Sequence, residues 1–133
     1  MVPEQIMDAA LWFPESAEDE PFGPNLLVYR VADRIFALMQ PEDGRAMPAH
    51  LTLKCEPALA LELRGQFGAV IPGYHVNKKH WNSVLLDGTV PDDEIVEMLR
   101  HSYERVVSGL RKADRERLLA VLGTDLPPVP DPP

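Results

Sequence analysis

Residues 71–81, Ile71-Pro-Gly-Tyr-His-Val-Asn-Lys-Lys-His-Trp81, gather two histidines, two lysines, an asparagine and two aromatic side chains. No other stretch is as rich in groups that can bind something. If Lys78-Lys79 forms a two-residue hairpin loop, Asn77 faces His80 and His75 faces Asn82. Directly opposed residues share a sheet face. His75, Asn77, His80 and Asn82 would then form one polar patch with two ammonium groups at its tip, and Val76 and Trp81 would lie on the other side. Such a patch can hold a phosphate or carboxylate through charge-assisted hydrogen bonds. It can also act as a wing against a nucleic-acid backbone, where lysines position without reading sequence. Lys54 and Arg64 are the cations expected nearby. The plainer reading is that hairpin-tip lysines are solvated and guard an edge against aggregation. Tyr74 and Trp81 read as core or core-rim residues, since base stacking would need them exposed beside the lysines.

Catalytic and metal chemistry find less support. Cys55 follows Lys54 and precedes a helix start at Pro57, a setting that can lower a thiol pKa. No base and acid accompany it, so nucleophilic catalysis is not expected and a small buried residue is. His50, His75, His80, His101 and Cys55 lack the spacing of a zinc site, so neither metal nor cofactor is expected. The acidic run Glu15, Glu18, Asp19, Glu20 can attract hard cations but reads as a solvated loop. Ser102 and Tyr103 fit a helix that buries the tyrosine.

The net charge of −8 is unevenly placed. Residues 1–24 hold six acids and no Lys or Arg, residues 25–90 hold seven bases and six acids, and residues 91–133 hold six bases and nine acids. The acidity sits at the ends and opposes nucleic-acid binding, which relies on phosphate neutralisation. The middle can still present a cationic surface.

The elements that must position these groups follow from pattern. Val2, Ile6, Ala9, Ala10 and Phe13 mark a helix over Met1–Phe13, ended by Pro14. Glu15–Pro24 reads as a loop. Leu26–Val31 and Arg34–Met39 read as strands around a short Ala32-Asp33 turn, and Ala49–Lys54 as a third strand after a loop at Gln40–Pro48. Pro57 opens a helix with Leu59, Leu63 and Phe67 as its buried stripe, stopped at Gly68. Tyr74–Asn77 and His80–Leu86 read as two more strands, with a turn at Asp87-Gly88. Pro91 and the acids Asp92, Asp93 and Glu94 open a long helix whose apolar face is Ile95, Leu99, Tyr103, Val106 and Leu110. A short helix is expected over Arg115–Leu122. The order α-β-β-β-α-β-β-α predicts a two-layer α+β domain, an antiparallel sheet of about five strands with helices on one face. Residues 1–123 form one domain, and 124–133, with five prolines in Leu126–Pro133, a disordered tail.

Several separated pieces together resemble the MmcQ/YjbR family. They are Pro21-Phe-Gly-Pro24, Arg34-Ile-Phe-Ala-Leu38, Leu53-Lys-Cys-Glu-Pro57, Ile71–Asn82, Leu86-Asp-Gly88 and His101-Ser-Tyr103, in order over about residues 8–112. The resemblance implies a fold like that of the bacterial frataxin CyaY and a double-wing DNA-binding motif. The chain departs from the family pattern at Ala32-Asp33-Arg34, where glycine then lysine is more usual, in a longer loop at 40–48 and in an extra C-terminal segment.

The sequence therefore predicts a small non-catalytic binding protein of the cytoplasm, with no membrane segment and no secretory signal. Its expected partner is DNA, held weakly and electrostatically through His75, Asn77, Lys78, Lys79, His80, Asn82, Lys54 and Arg64. The alternative is another protein or a small anion bound on a concave sheet face by the histidine–asparagine patch.

Overall fold

The computed structural model describes residues 1–42 and 47–130. Helix α1 (Pro3–Trp12) is followed by strands β1 (Ala17–Asp19), β2 (Leu27–Val31), β3 (Arg34–Gln40) and β4 (His50–Lys54). Helix α2 (Pro57–Gln66), strands β5 (Val70–Pro72) and β6 (Trp81–Leu85), and helices α3 (Asp92–Ser108) and α4 (Lys112–Leu122) complete the order. The strands form one antiparallel sheet in the order β1-β2-β3-β4-β6-β5. Leu27, Tyr29, Val31, Ala37, Met39, Leu51, Leu53 and Val84 point from one face into the helix-covered core. The fold is thus α+β with helices on one face, and the sheet has six strands where five were expected.

The additional strand, β1, lies inside the expected acidic loop. Its three residues are all exposed, so no alternation marks it. It exists because β2 offers a free edge, and because the Tyr29 hydroxyl donates to Glu18 Oε2 at 2.7 Å. A second correction concerns β5. The expected strand Tyr74–Asn77 is absent; Val70–Pro72 pairs with β6 instead, with Pro72 opposite Asn82. In α2 the expected stripe is only half-buried at Leu59, Leu63 and Phe67, and Ala60 is the buried residue. Helix α4 begins three residues before the expected Arg115. Of the expected loop at Gln40–Pro48, residues 43–46 lie outside the described residues, as do residues 131–133 of the expected tail. In the rest of that tail, Pro127 is buried, and the Arg100 guanidinium donates to the carbonyls of Gly123 and Asp125.

The β2–β3 connection has the expected length. Val31 pairs with Arg34, and Ala32 and Asp33 both have positive φ, 48° and 65°. Two left-handed residues give a turn whose twist matches the strands it joins. Alanine has no side chain to offset its crowding there, so the turn is strained.

Three residues past Asp33, β3 carries one extra residue. Tyr29 pairs with Ala37 and Arg30 with Ile35, leaving Phe36 as a bulge. The bulge lets consecutive residues Phe36 and Ala37 both be buried in the core, and it frees the Phe36 carbonyl from the ladder. Ser102 on α3, fully buried, donates to that carbonyl at 2.5 Å and accepts from the Lys54 backbone N–H at 2.9 Å. Next to it, Tyr103 stacks on Phe13 at 4.9 Å and meets Phe36 edge-on at 5.3 Å. Its hydroxyl donates to the Pro14 carbonyl at 2.8 Å, and burial pushes its pKa up to about 12.

Replacing Ala32-Asp33 with Asn-Gly should stabilise the protein by about 1 kcal/mol, because both residues tolerate the left-handed region. A rise in urea midpoint at constant m-value would show it; an unchanged or lower midpoint would contradict the strained-turn account. Ser102→Ala should cost about 2–4 kcal/mol, since it leaves two backbone groups unpaired at a buried position. A loss below about 0.5 kcal/mol in the same titration would mean that Ser102 does not couple α3 to the sheet.

Candidate functional site

The sheet face away from the helices is not bare. Two segments fold over it: the approach to β2, which carries Phe22 and Leu26, and the 73–80 loop between β5 and β6. Between them lies a cavity of about 540 Å³. Ile35, Leu38, Gln40, His50, Thr52 and Trp81 line it from the strands, and Tyr74, His75, Val76 and Asn77 from the loop. None of its lining residues is charged. Thr52 and Ser83 face each other across β4 and β6, their hydroxyls 2.7 Å apart, and Ser83 Oγ also accepts the Tyr74 N–H at 2.9 Å.

The loop owes its shape to Gly73 and Arg64. The Gly73 N–H donates to the Trp81 carbonyl at 2.9 Å, closing the loop base. A Cβ at Gly73 would sit 2.6 Å from Val76 Cγ2 and 2.9 Å from that carbonyl, so only glycine fits without a shift. Arg64, reaching from α2, donates from Nε to Asn82 Oδ1 at 2.7 Å and from its terminal nitrogen to the carbonyls of Lys78 and Trp81. Asn82 is 3% exposed and passes the connection on to the Ala60 carbonyl.

These contacts redistribute the residues expected to act together. The Lys78-Lys79 hairpin with one polar face does not form, because the observed register puts β5 three residues earlier and leaves 73–80 as a loop. His75, at φ 60°, and Asn77 line the open-face cavity. Val76 and Trp81, expected on the opposite face, line the same cavity. Lys78 turns its ammonium onto the Gly73 carbonyl at 2.8 Å. Lys79 is exposed, in a shallow depression shared with Glu56 and Arg64. His80 is half-buried, and its carbonyl accepts the Cys55 N–H at 2.8 Å. Asn82 and Arg64 hold the loop through the bonds described above. Lys54 lines a different hollow on the helix side.

That second hollow, about 460 Å³, lies between α2, α3 and the sheet. Leu53, Leu59, Leu63, Val84 and Met98 form its apolar part; Cys55, Glu94, Glu97 and His101 contribute polar groups. Burial pushes the Cys55 thiol up to about 11, aided by neighbouring Glu56. The thiol is therefore protonated at neutral pH, the reverse of the lowering that its place before a helix allows. Glu56 instead spends its carboxylate on α2, accepting the N–H groups of Ala58 and Leu59, which hold its pKa below the usual carboxylate range. His101 Nε2 accepts the Glu56 N–H at 3.0 Å. Desolvation, then the nearby Arg105, keep His101 below its ordinary pKa. Among the described residues, no group of three or more His, Cys, Asp or Glu side chains is arranged to hold a metal ion. The acidic run is partly engaged: Glu15 pairs with Arg117 at 3.0 Å, and Glu18 accepts from Tyr29.

The cavity residues that sequence reasoning missed are Phe22, Leu26, Ile35, Leu38, Gln40, His50 and Thr52. A signal was present. Residues 35–39, Ile-Phe-Ala-Leu-Met, are apolar without alternation, the mark of a strand covered on both faces.

The YjbR family model matches residues 11–105. The chain belongs to the YjbR family. It is 39% identical over 90 residues to the uncharacterized protein YjbR of Escherichia coli K12, covering 68% of this chain and 74% of that one. It is 34% identical over 98 residues to the uncharacterized protein YbdF of Escherichia coli O157:H7, covering 74% and 78%. Among solved structures, Deinococcus radiodurans protein DR2400 superposes with a TM-score of 0.79 at 37% identity, covering 88% of this chain and 87% of its own. A Pseudomonas syringae protein gives 0.66 at 29% identity, covering 77% and 96%. The family match covers the part of the chain that builds both hollows.

His101 gives the site region a pH signature. Its folded pKa is depressed, so below the ordinary histidine value of about 6.5 the unfolded chain takes up a proton that the folded protein resists. Its contribution to stability is present above that value and is lost as pH falls through the folded pKa. Denaturation midpoints should therefore drop from pH 7 to pH 5, and His101→Gln, which keeps an acceptor without a titrating ring, should flatten part of that drop. Parallel wild-type and variant curves would remove His101 as the cause.

Proposed function

We propose that the protein is a non-catalytic binding module that takes a small, largely apolar molecule in the cavity on the open face of its sheet. One observation carries this reading: a cavity of about 540 Å³ is lined by aliphatic and aromatic side chains with a few uncharged polar groups and no Lys, Arg, Asp or Glu. That volume and that mixture are those of small-molecule sites, where apolar walls supply affinity and a few polar groups fix orientation. Of the residues expected from sequence to bind, His75 and Asn77 stay in this role.

The nucleic-acid reading keeps fewer of its groups. It relied on two lysines at a hairpin tip with Arg64 nearby. Lys78 and Arg64 instead place their donors on carbonyls of the loop and its base, and the other two expected cations, Lys79 and Lys54, lie in separate hollows. Against a net charge of −8, two lysines supply little counterion release. No helix among the described residues is long and apolar enough to cross a membrane.

A thermal-shift screen of small apolar compounds, run on wild type and on Leu38→Trp, tests the proposal. The tryptophan should fill the cavity. A compound at a hundred times its Kd should stabilise wild type by about 2.7 kcal/mol, a melting shift of roughly 10 °C, and leave Leu38→Trp unmoved. A screen with no stabilising compound counts against the proposal. So does low-salt retention of duplex DNA that Lys79→Glu abolishes, which would return the nucleic-acid reading to first place.

A further inference from the structure

The cavity floor holds one polar group whose partners define what a ligand must offer. His50 is 5% exposed and sits on β4 at the point where the chain enters the sheet. Its Nδ1 lies 2.9 Å from the Pro48 carbonyl. A carbonyl oxygen only accepts, so Nδ1 carries the proton. In the neutral ring that leaves Nε2 with a lone pair and no hydrogen. Nε2 has no hydrogen-bond partner among the described residues. His50 lines the cavity, so this acceptor is the one it can offer there. Beside it, Thr52 and Ser83 satisfy each other, so they do not compete for it.

The walls add a second requirement. Phe22 is 63% exposed and Tyr74 is 43% exposed, although both line this cavity. They come from the two separate segments that fold over the sheet. Tyr74 is held in place by its N–H on Ser83 Oγ and by an edge-on contact with the His50 ring, at 5.6 Å and 86°. Large aromatic surface left uncovered around an apolar hollow gains most from a flat partner.

We infer that the cavity is built for a planar aromatic molecule bearing an N–H or O–H, its ring against Phe22 and Tyr74 and its donor on His50 Nε2. This rests on the reading of the cavity as the binding site and narrows it to one chemistry.

Three matched probes separate the two claims: 2-naphthol, with ring and donor; 2-methoxynaphthalene, with the ring alone; and decahydro-2-naphthol, with the donor on a saturated frame. Each is titrated into the full chain and followed by amide NMR. 2-Naphthol should move the amides of Thr52, Tyr74 and His75 and bind about tenfold tighter than either control, the size of one buried hydrogen bond. Phe22→Ala, at an exposed position that should leave the fold intact, should weaken 2-naphthol several-fold and erase its advantage over the saturated probe. His50→Phe should erase its advantage over the methoxy probe. If all three bind alike at these amides, the cavity takes apolar molecules but the inference fails. If 2-naphthol instead moves Cys55 and His101, the inference fails by location. If no amide moves with any probe, the binding-site reading fails with it.

Discussion

Ser102 bonds at once to the bulge of β3 and to the last backbone N–H of β4. A bulge in the middle of a sheet leaves a carbonyl without a ladder partner, and a buried unpaired carbonyl is costly. One serine hydroxyl, donating one way and accepting the other, removes that cost and fixes where α3 lies on the sheet. Its neighbours add to the same end. Tyr103 ties α3 to the end of α1 through Pro14 and the Phe13 ring, and His101 ties it to the start of α2 through Glu56. Three consecutive residues thus anchor α3 to four other elements. The His101-Ser-Tyr103 motif anchors α3.

The same economy governs the 73–80 loop. A loop of eight residues with no regular structure needs something to hold it, and here the holding groups are cations. Arg64 and Lys78 satisfy loop carbonyls from outside and inside. Their charges are therefore spent on shape. What the shaped loop then presents to the sheet is uncharged: one imidazole, an amide, a phenol and apolar carbon. A segment that reads as basic in sequence folds into the wall of a neutral cavity.

Much of the fold was legible because its signals are local. The acids after Pro91 and the apolar repeat through Val106 specify α3, and that repeat is buried throughout. The short Ala32-Asp33 link forces a hairpin whatever its residues prefer, and alanine adopts a left-handed turn against its own preference. β1 was hidden because Ala17-Glu-Asp19 has no pattern; it is a strand only because β2 has an edge to fill. The β5–β6 connection was misplaced because a two-residue Lys-Lys loop and an eight-residue loop satisfy the same alternation up to Asn82. Gly73 decides between them, since close approach of Val76 and Trp81 is possible only over a missing Cβ.

The sequence by itself determined the family, the α+β class and the identity of the anchoring helix, because periodicity, helix-start chemistry and motif order are properties of neighbours along the chain. It also placed His75 and Asn77 among the binding candidates. Only the tertiary structure decided that Arg64, Lys78 and Asn82 hold the loop, and that His50, Thr52 and Phe22 share a cavity with it. Those roles depend on which carbonyl a long cationic side chain reaches and on which segments cross the open sheet face. Both are set by contacts between residues far apart in sequence, and no local pattern encodes them.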